Sequence, residues 1–216
     1  LDINDQTKLQ MSSWTLEAKV LPSDLNSLAD GQGATILRRT VQDTADNKMA
    51  ANYELRVVRS GTNLLPEVRY TFVDGDGNGS NVWIRASASK ALPIVAANDP
   101  YPSAGLVHLA GTFNGTNGQM RLYMNGVLLT NRTFAAQSRP PQGGEGARSF
   151  VRIGENFAGF VDEVRLWSVV RTADEIDAYR NTTPASTSSN LVAMFTFDDG
   201  GFPAILVRSR VLQTLA

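Results

Sequence analysis

The feature that most limits how this chain can fold is a period of two. In YELRVV, residues 53–58, Tyr53, Leu55 and Val57 face one way while Glu54, Arg56 and Val58 face the other. In QMRLYM, residues 119–124, Met120, Leu122 and Met124 oppose Gln119, Arg121 and Tyr123. Successive side chains of a strand point to opposite faces, so such runs build strands with one face on a core. Comparable runs span 14–21, 34–40, 53–59, 67–73, 81–88, 105–112, 119–124, 127–133, 150–153, 160–167 and 192–197. Gly, Asn, Asp and Pro separate them. Asn125-Gly126 stands between two such runs. Both residues tolerate positive φ, which makes 119–124 and 127–133 expected antiparallel neighbours across a tight hairpin.

One helix is legible. In RTADEIDAYR, residues 171–180, Thr172 and Glu175 have the spacing of a capping box, and Ile176 and Tyr179 form a short apolar stripe. Residues 22–33, 89–104 and 135–148 show no periodicity, and RPPQGGEGAR in the last of these reads as loop. A parallel α/β fold needs a helix after nearly every strand. About eleven short strands, one short helix and long loops instead predict an all-β fold, an antiparallel two-sheet jelly-roll sandwich. Residues 1–182 read as one domain and TPASTSSN, 183–190, as a linker or loop. Residues 191–216 read either as a strand completing the sandwich or as the start of a following repeat.

Composition narrows the chemistry. The net charge is −1 and no basic run exists, so neither nucleic acid nor an anionic membrane surface is an expected partner. The apolar runs fall well short of the roughly 20 residues that span a bilayer, so no membrane insertion is expected. With no cysteine there is no disulfide, thiolate zinc site or cysteine nucleophile. The first residue is Leu1, and the chain reads as an excised domain or mature fragment. His108 is the single histidine, and no acid or nucleophile stands near it in sequence. It reads as a half-buried strand residue.

Three segments together resemble the laminin-G-like, or concanavalin A-like, jelly roll. They are SSWTLEAKVLP (12–22), GLVHLAGTFNGTNGQMRLYMNGVLL (105–129) and FAGFVDEVRLWSVVRTADEI (157–176). Their order and spacing agree with that family over roughly residues 1–180. The resemblance implies a non-catalytic binding or adhesion module of a secreted or cell-surface multidomain protein. Its implied partners are a glycan or extracellular protein, met through loops at one rim, and neighbouring domains of the same chain. The alternative is a ligand-free spacer repeat in a long surface protein.

A glycoside hydrolase fits less well. Sandwich glycosidases of the related class set alternate carboxylates on one strand face. The nearest pattern here, from Glu175 to Arg180, ends in Arg and lies on the predicted helix. Asp162 and Glu163 are adjacent, so on a regular strand they point apart.

The stretch FVDGDGNGSNVW, residues 72–83, sets Asp74, Asp76, Asn78 and Ser80 at alternate positions, as in a calcium loop. The position that needs a bidentate Glu is Arg85, so the stretch reads locally as a hairpin turn. If each strand crosses the sandwich once, loops 41–51, 74–80, 114–118 and 134–148 share one end. That end would collect Asp43, Asp46, Asn47, Asp74, Asp76, Asn78, Asn114 and Asn117. Such oxygen donors suit calcium, the one cofactor expected here, but polar turns look the same without a metal. In the resemblance Asp162 either helps hold a structural calcium or accepts backbone N–H bonds. Tyr101, between Pro100 and Pro102 in a long loop, and rim residues Asn114 and Asn117 are the candidate ligand contacts. Trp83 and Trp167 lie in predicted strands and read as core.

Overall fold

The computed structural model describes residues 2–4, 7–42, 49–73, 79–95, 105–134, 149–197 and 205–207. Two antiparallel sheets face each other. Numbered along the chain, the six-stranded sheet runs β1 (Asp2–Asn4), β10 (Ser149–Ile153), β3 (Gly33–Gln42), β4 (Met49–Ser60), β5 (Asn63–Val73) and β6 (Gly79–Arg85). The other sheet runs β12 (Leu191–Phe195), β11 (Gly159–Trp167), β2 (Trp14–Pro22), β7 (Val107–Asn114), β8 (Gln119–Met124) and β9 (Val127–Thr133). β13 (Ile205–Val207) also pairs with β11. The chain passes between sheets at β1–β2, β2–β3, β6–β7, β9–β10 and β10–β11, as a jelly roll requires. The helix α1 (Ala173–Tyr179) carries the expected box: Thr172 Oγ1 accepts from the Glu175 N–H, and Glu175 Oε2 accepts from the Thr172 N–H at 2.7 Å.

The alternation read from sequence sets the layers. Leu16, Ala18 and Val20 of β2 enter the core between the sheets, with Tyr53, Leu55, Val57, Val68 and Tyr70 from the facing sheet. Trp14 anchors one end, its ring 5.8 Å from Tyr53, 5.6 Å from Tyr70 and 5.9 Å from Phe113. Such tilted and offset pairs add to the burial of large apolar rings. The sheets approach closely at Gly111, where a Cβ would lie 2.7 Å from Val68 Cγ2. The predicted Asn125-Gly126 turn is present, with φ of 51° and 80°. Its glycine also lets α1 approach, since a Cβ on Gly126 would meet Asp177 Oδ1 at 2.3 Å.

Three differences from the sequence reading have physical causes. The short β1 and β13 were not expected, because three residues are too few to show alternation. β5 starts at Asn63 and runs through Pro66. The Pro66 carbonyl accepts from the Ala86 N–H at 3.0 Å, just past the end of β6, so the missing proline N–H faces where the ladder has stopped. The alternation of Asp162 and Glu163 also fails. The β2–β11 register shifts between Asp162 and Arg165, and Glu163 has φ of 48°.

The sheets differ in their outer coverings. Residues 168–183, including α1, cross the outer face of the seven-stranded sheet, where Ile176 packs on Ala110 and Tyr123. The one α-helix among the described residues lies against the other sheet, not the six-stranded one. None of the described helices is long and apolar enough to cross a membrane.

Candidate functional site

The predicted rim is partly described. Strand ends Gln42 and Met49 pair, as do Val73 and Gly79, and Asn114 and Gln119. The Ser13 hydroxyl accepts from the Gly115 N–H at 2.9 Å, and Tyr70 meets Phe113 with ring centroids 4.6 Å apart. These contacts bring the ends of β5 and β7 together at one end of the sandwich. Asp43, Asp46, Asp74, Asp76, Asn78 and Tyr101 lie outside the described residues. Asn114 Oδ1 accepts from the N–H groups of Thr116 (2.9 Å) and Asn117 (3.3 Å), and Asn117 Oδ1 accepts from the Gln119 N–H (3.0 Å). These bonds shape their own turn.

Asp162 is not at that rim. It sits within β11 opposite Lys19, toward the other end, and its Oδ1 accepts from the Glu163 N–H at 2.8 Å. Among the described residues no three His, Asp or Glu side chains converge as metal ligands.

A buried polar network lies beneath residues 168–183. Glu17, on the outward face of β2, is wholly buried. It receives His108 Nε2 at 3.2 Å and Arg171 Nη1 at 3.2 Å, with Arg165 Nη1 at 3.6 Å. Arg165 also pairs with Glu163 and donates to the carbonyls of Tyr179 (2.8 Å) and Thr182 (3.0 Å). Arg171 stacks 4.0 Å from the Trp167 ring centroid and 4.7 Å from that of Tyr179. The Thr15 hydroxyl donates to the Val169 carbonyl (2.7 Å) and accepts from the Arg171 N–H (2.9 Å). His108 therefore has the acidic partner that sequence did not show, 91 residues away. It is also fully rather than half buried. Glu17, His108, Arg165 and Arg171 are all buried, and the group fastens α1 to the sheet.

The outer face of the six-stranded sheet carries the exposed chemistry. Register lines up Arg152, Arg38, Glu54, Arg69 and Trp83 in one cross-strand row over β10, β3, β4, β5 and β6. The adjacent row holds Thr35, Arg56, Glu67 and Arg85. Glu67 is buried and surrounded by three guanidiniums: Arg56 Nε at 2.8 Å, Arg69 Nε at 2.5 Å and Arg85 Nη2 at 2.6 Å. The Arg56 contact is close enough for an ion pair but misaligned for a hydrogen bond. The Arg56 guanidinium is held below its usual pKa mainly by burial, with Arg69 pushing the same way against Glu67 and Glu54. Glu54 accepts from the Thr35 hydroxyl and lies 3.9 Å from both Arg38 and Arg56. Glu155 pairs with Arg38 and Arg152.

Trp83 corrects the sequence reading. It is 47% exposed on the outward side of β6, with the Arg85 guanidinium 5.2 Å from its ring centroid. Trp167 is buried, as expected. Val82, Trp83 and Ile84 are consecutive apolar residues, so hydrophobicity alone does not say which face is inside. Pairing with β5 decides it: Val82 lies opposite Tyr70 and Ile84 opposite Val68, both core residues.

Solved structures share this architecture. A candidate carbohydrate-binding protein from Bacteroides ovatus superposes with a TM-score of 0.59 at 20% identity, covering 88% of this chain and 46% of that one. This chain thus spans about half the length of that protein. The CBM40 module of the Ruminococcus gnavus IT-sialidase, bound to α2,3-sialyllactose, gives 0.54 at 14% identity, covering 78% and 82%. A leech intramolecular trans-sialidase gives 0.57 at 13% identity, covering 85% and 28%. At these identities the likeness is one of fold. No curated protein is similar enough in sequence to count as a match. Residues 1–177 match the family model described as the concanavalin A-like lectin/glucanases superfamily, and the chain belongs to that superfamily.

Proposed function

We propose that this domain is a non-catalytic glycan-binding module of a secreted or cell-surface protein. The observation that carries the reading is the exposed indole of Trp83 beside guanidiniums on the outer face of the six-stranded sheet. Exposed aromatic rings give sugar rings an apolar platform, and planar polar groups beside them fix orientation. The fold is shared with a CBM40 module solved with sialyllactose, which supports a glycan as the class of ligand.

The absence of catalysis has its own support among the described residues. Each buried glutamate is committed: Glu17 to His108 and Arg171, Glu54 to Thr35, Glu67 to arginines, and Glu163 to Arg165 and Thr183. A retaining or inverting glycosidase instead needs two carboxyl groups facing each other across a cleft.

The rim carries a second reading, favoured by the strand ends that gather there. Calcium held by Asp43, Asp46, Asp74, Asp76 and Asn78, with Asn114 and Asn117 at the same end, would give a second ligand-contacting edge. Two measurements test the proposals. Glycan-array binding with no release of reducing ends is the expected outcome for a binding module. Thermal melting with calcium and then EDTA tests the rim: a bound ion raises the midpoint by mass action, and an unchanged midpoint removes calcium.

A further inference from the structure

We infer that the outer face of the six-stranded sheet, at its β5–β6 edge, binds a glycan whose acidic groups are carboxylates. Trp83 would lie beneath a sugar ring while Arg69 and Arg85 hold the acid. The inference rests on the glycan-binding reading above and names the ligand class.

Charge carries the argument. Glu67 is one carboxylate among three guanidiniums, and Glu54 lies 3.9 Å from one of them, Arg56, so positive charge still exceeds negative at this corner. Adding neighbours does not remove the excess. Among the described residues Arg38, Arg56, Arg69 and Arg85 pair with Glu54, Glu67 and Glu155. The chain as a whole has net charge −1, so the excess is a local property of this face. Arg69 meets Glu67 through Nε, and among the described residues its two terminal nitrogens form no hydrogen bond. A planar pair of donors matches the two oxygens of a carboxylate.

Position carries the rest. Trp83 lies directly opposite Arg69, and Arg85 is two residues away on the same face of β6. Strands sit about 4.8 Å apart, so an acid held by Arg69 lies within one sugar ring of the indole. Among the described residues β6 is the edge of its sheet, so the indole has a strand neighbour on one side only. Glu67 fixes Arg69 and Arg85 from below, which reduces the side-chain entropy lost when they close on a ligand. A neutral glycan would use the indole and leave the positive excess unmet.

The test uses this 216-residue chain and three uronate polymers: polygalacturonate, alginate and hyaluronan. Each is paired with its carboxyl-reduced form, in which the acid becomes a neutral hydroxymethyl group. Titration calorimetry in dilute buffer should show binding to at least one uronate, at least tenfold loss on carboxyl reduction, and weakening with salt. Trp83→Ala should lose at least tenfold with an unchanged melting midpoint, because an exposed residue contributes little to folding. Arg69→Gln should erase the preference for acid over reduced polymer. Equal binding of acidic and reduced forms would overturn this inference and leave the glycan reading standing. Binding of dextran sulfate with no uronate bound would overturn it in favour of sulfated sugars. Failure of every polymer, acidic or neutral, would overturn both. Unchanged binding by Trp83→Ala would overturn the site.

Discussion

Replacing Glu17 by alanine tests whether the polar network under α1 holds the outer layer in place. Among the described residues Glu17 is the one carboxylate that reaches both His108 and Arg171, at 3.2 Å each. Its removal strands charge that has no route to water. Arg165 would be least affected, because Glu163 and the carbonyls of Tyr179 and Thr182 still hold it. Arg171 would lose its only carboxylate ion pair among the described residues and keep the Glu175 carbonyl and its aromatic stack. Breaking one side of a buried pair costs about 3–5 kcal/mol, and the remaining contacts place this case near 3. For a chain of this length that lowers the midpoint by about 6–12 °C. Urea denaturation followed by tryptophan fluorescence gives the free energy. Hydrogen exchange at Ile176 reports whether α1 loosens first. Glu17→Gln keeps an acceptor for Arg171 and should lose less. A loss below about 1 kcal/mol for the alanine variant would equate the network with a surface ion pair and refute the reasoning.

Two further substitutions test the layers. Gly111→Ala should cost about 1–3 kcal/mol, because its Cβ would press on the rigid, buried Val68; adding Val68→Ala should recover part of that in the same denaturation assay. Thr172→Ala should cost about 1 kcal/mol by removing the cap of α1. Glu175 is held below its ordinary pKa first by the Thr172 N–H, then by the Thr172 hydroxyl and Arg171 against an opposing effect of burial. A depressed carboxyl stabilises the fold above the unfolded value of about 4.5, and that contribution fades as pH falls through the folded value. The stability gap between the parent chain and Glu175→Gln should therefore be present at pH 7 and close toward pH 3.

Local chemistry made much of the fold legible. The alternation in 53–58 and 119–124 became β4 and β8, Asn125-Gly126 became the hairpin turn between β8 and β9, and Thr172 with Glu175 became a cap. Each signal is complete within a few residues. The site was less legible because its residues meet through register. Glu17 finds Arg171 across 154 positions, and nothing near either residue announces the other. The cluster on Glu67 was half visible: Arg56 was correctly set outside, yet its partners lie on two other strands. Trp83 misled because an indole between Val82 and Ile84 reads as core until pairing fixes the parity.

The most direct test of the binding face is an NMR titration of the three tryptophan indole N–H signals. Trp14 and Trp167 are buried and Trp83 is exposed, so each reports a different layer. Addition of a bound uronate oligosaccharide should shift the Trp83 signal, leave the other two in place and leave the oligosaccharide uncleaved. A saturating ligand that leaves Trp83 unmoved would contradict the account.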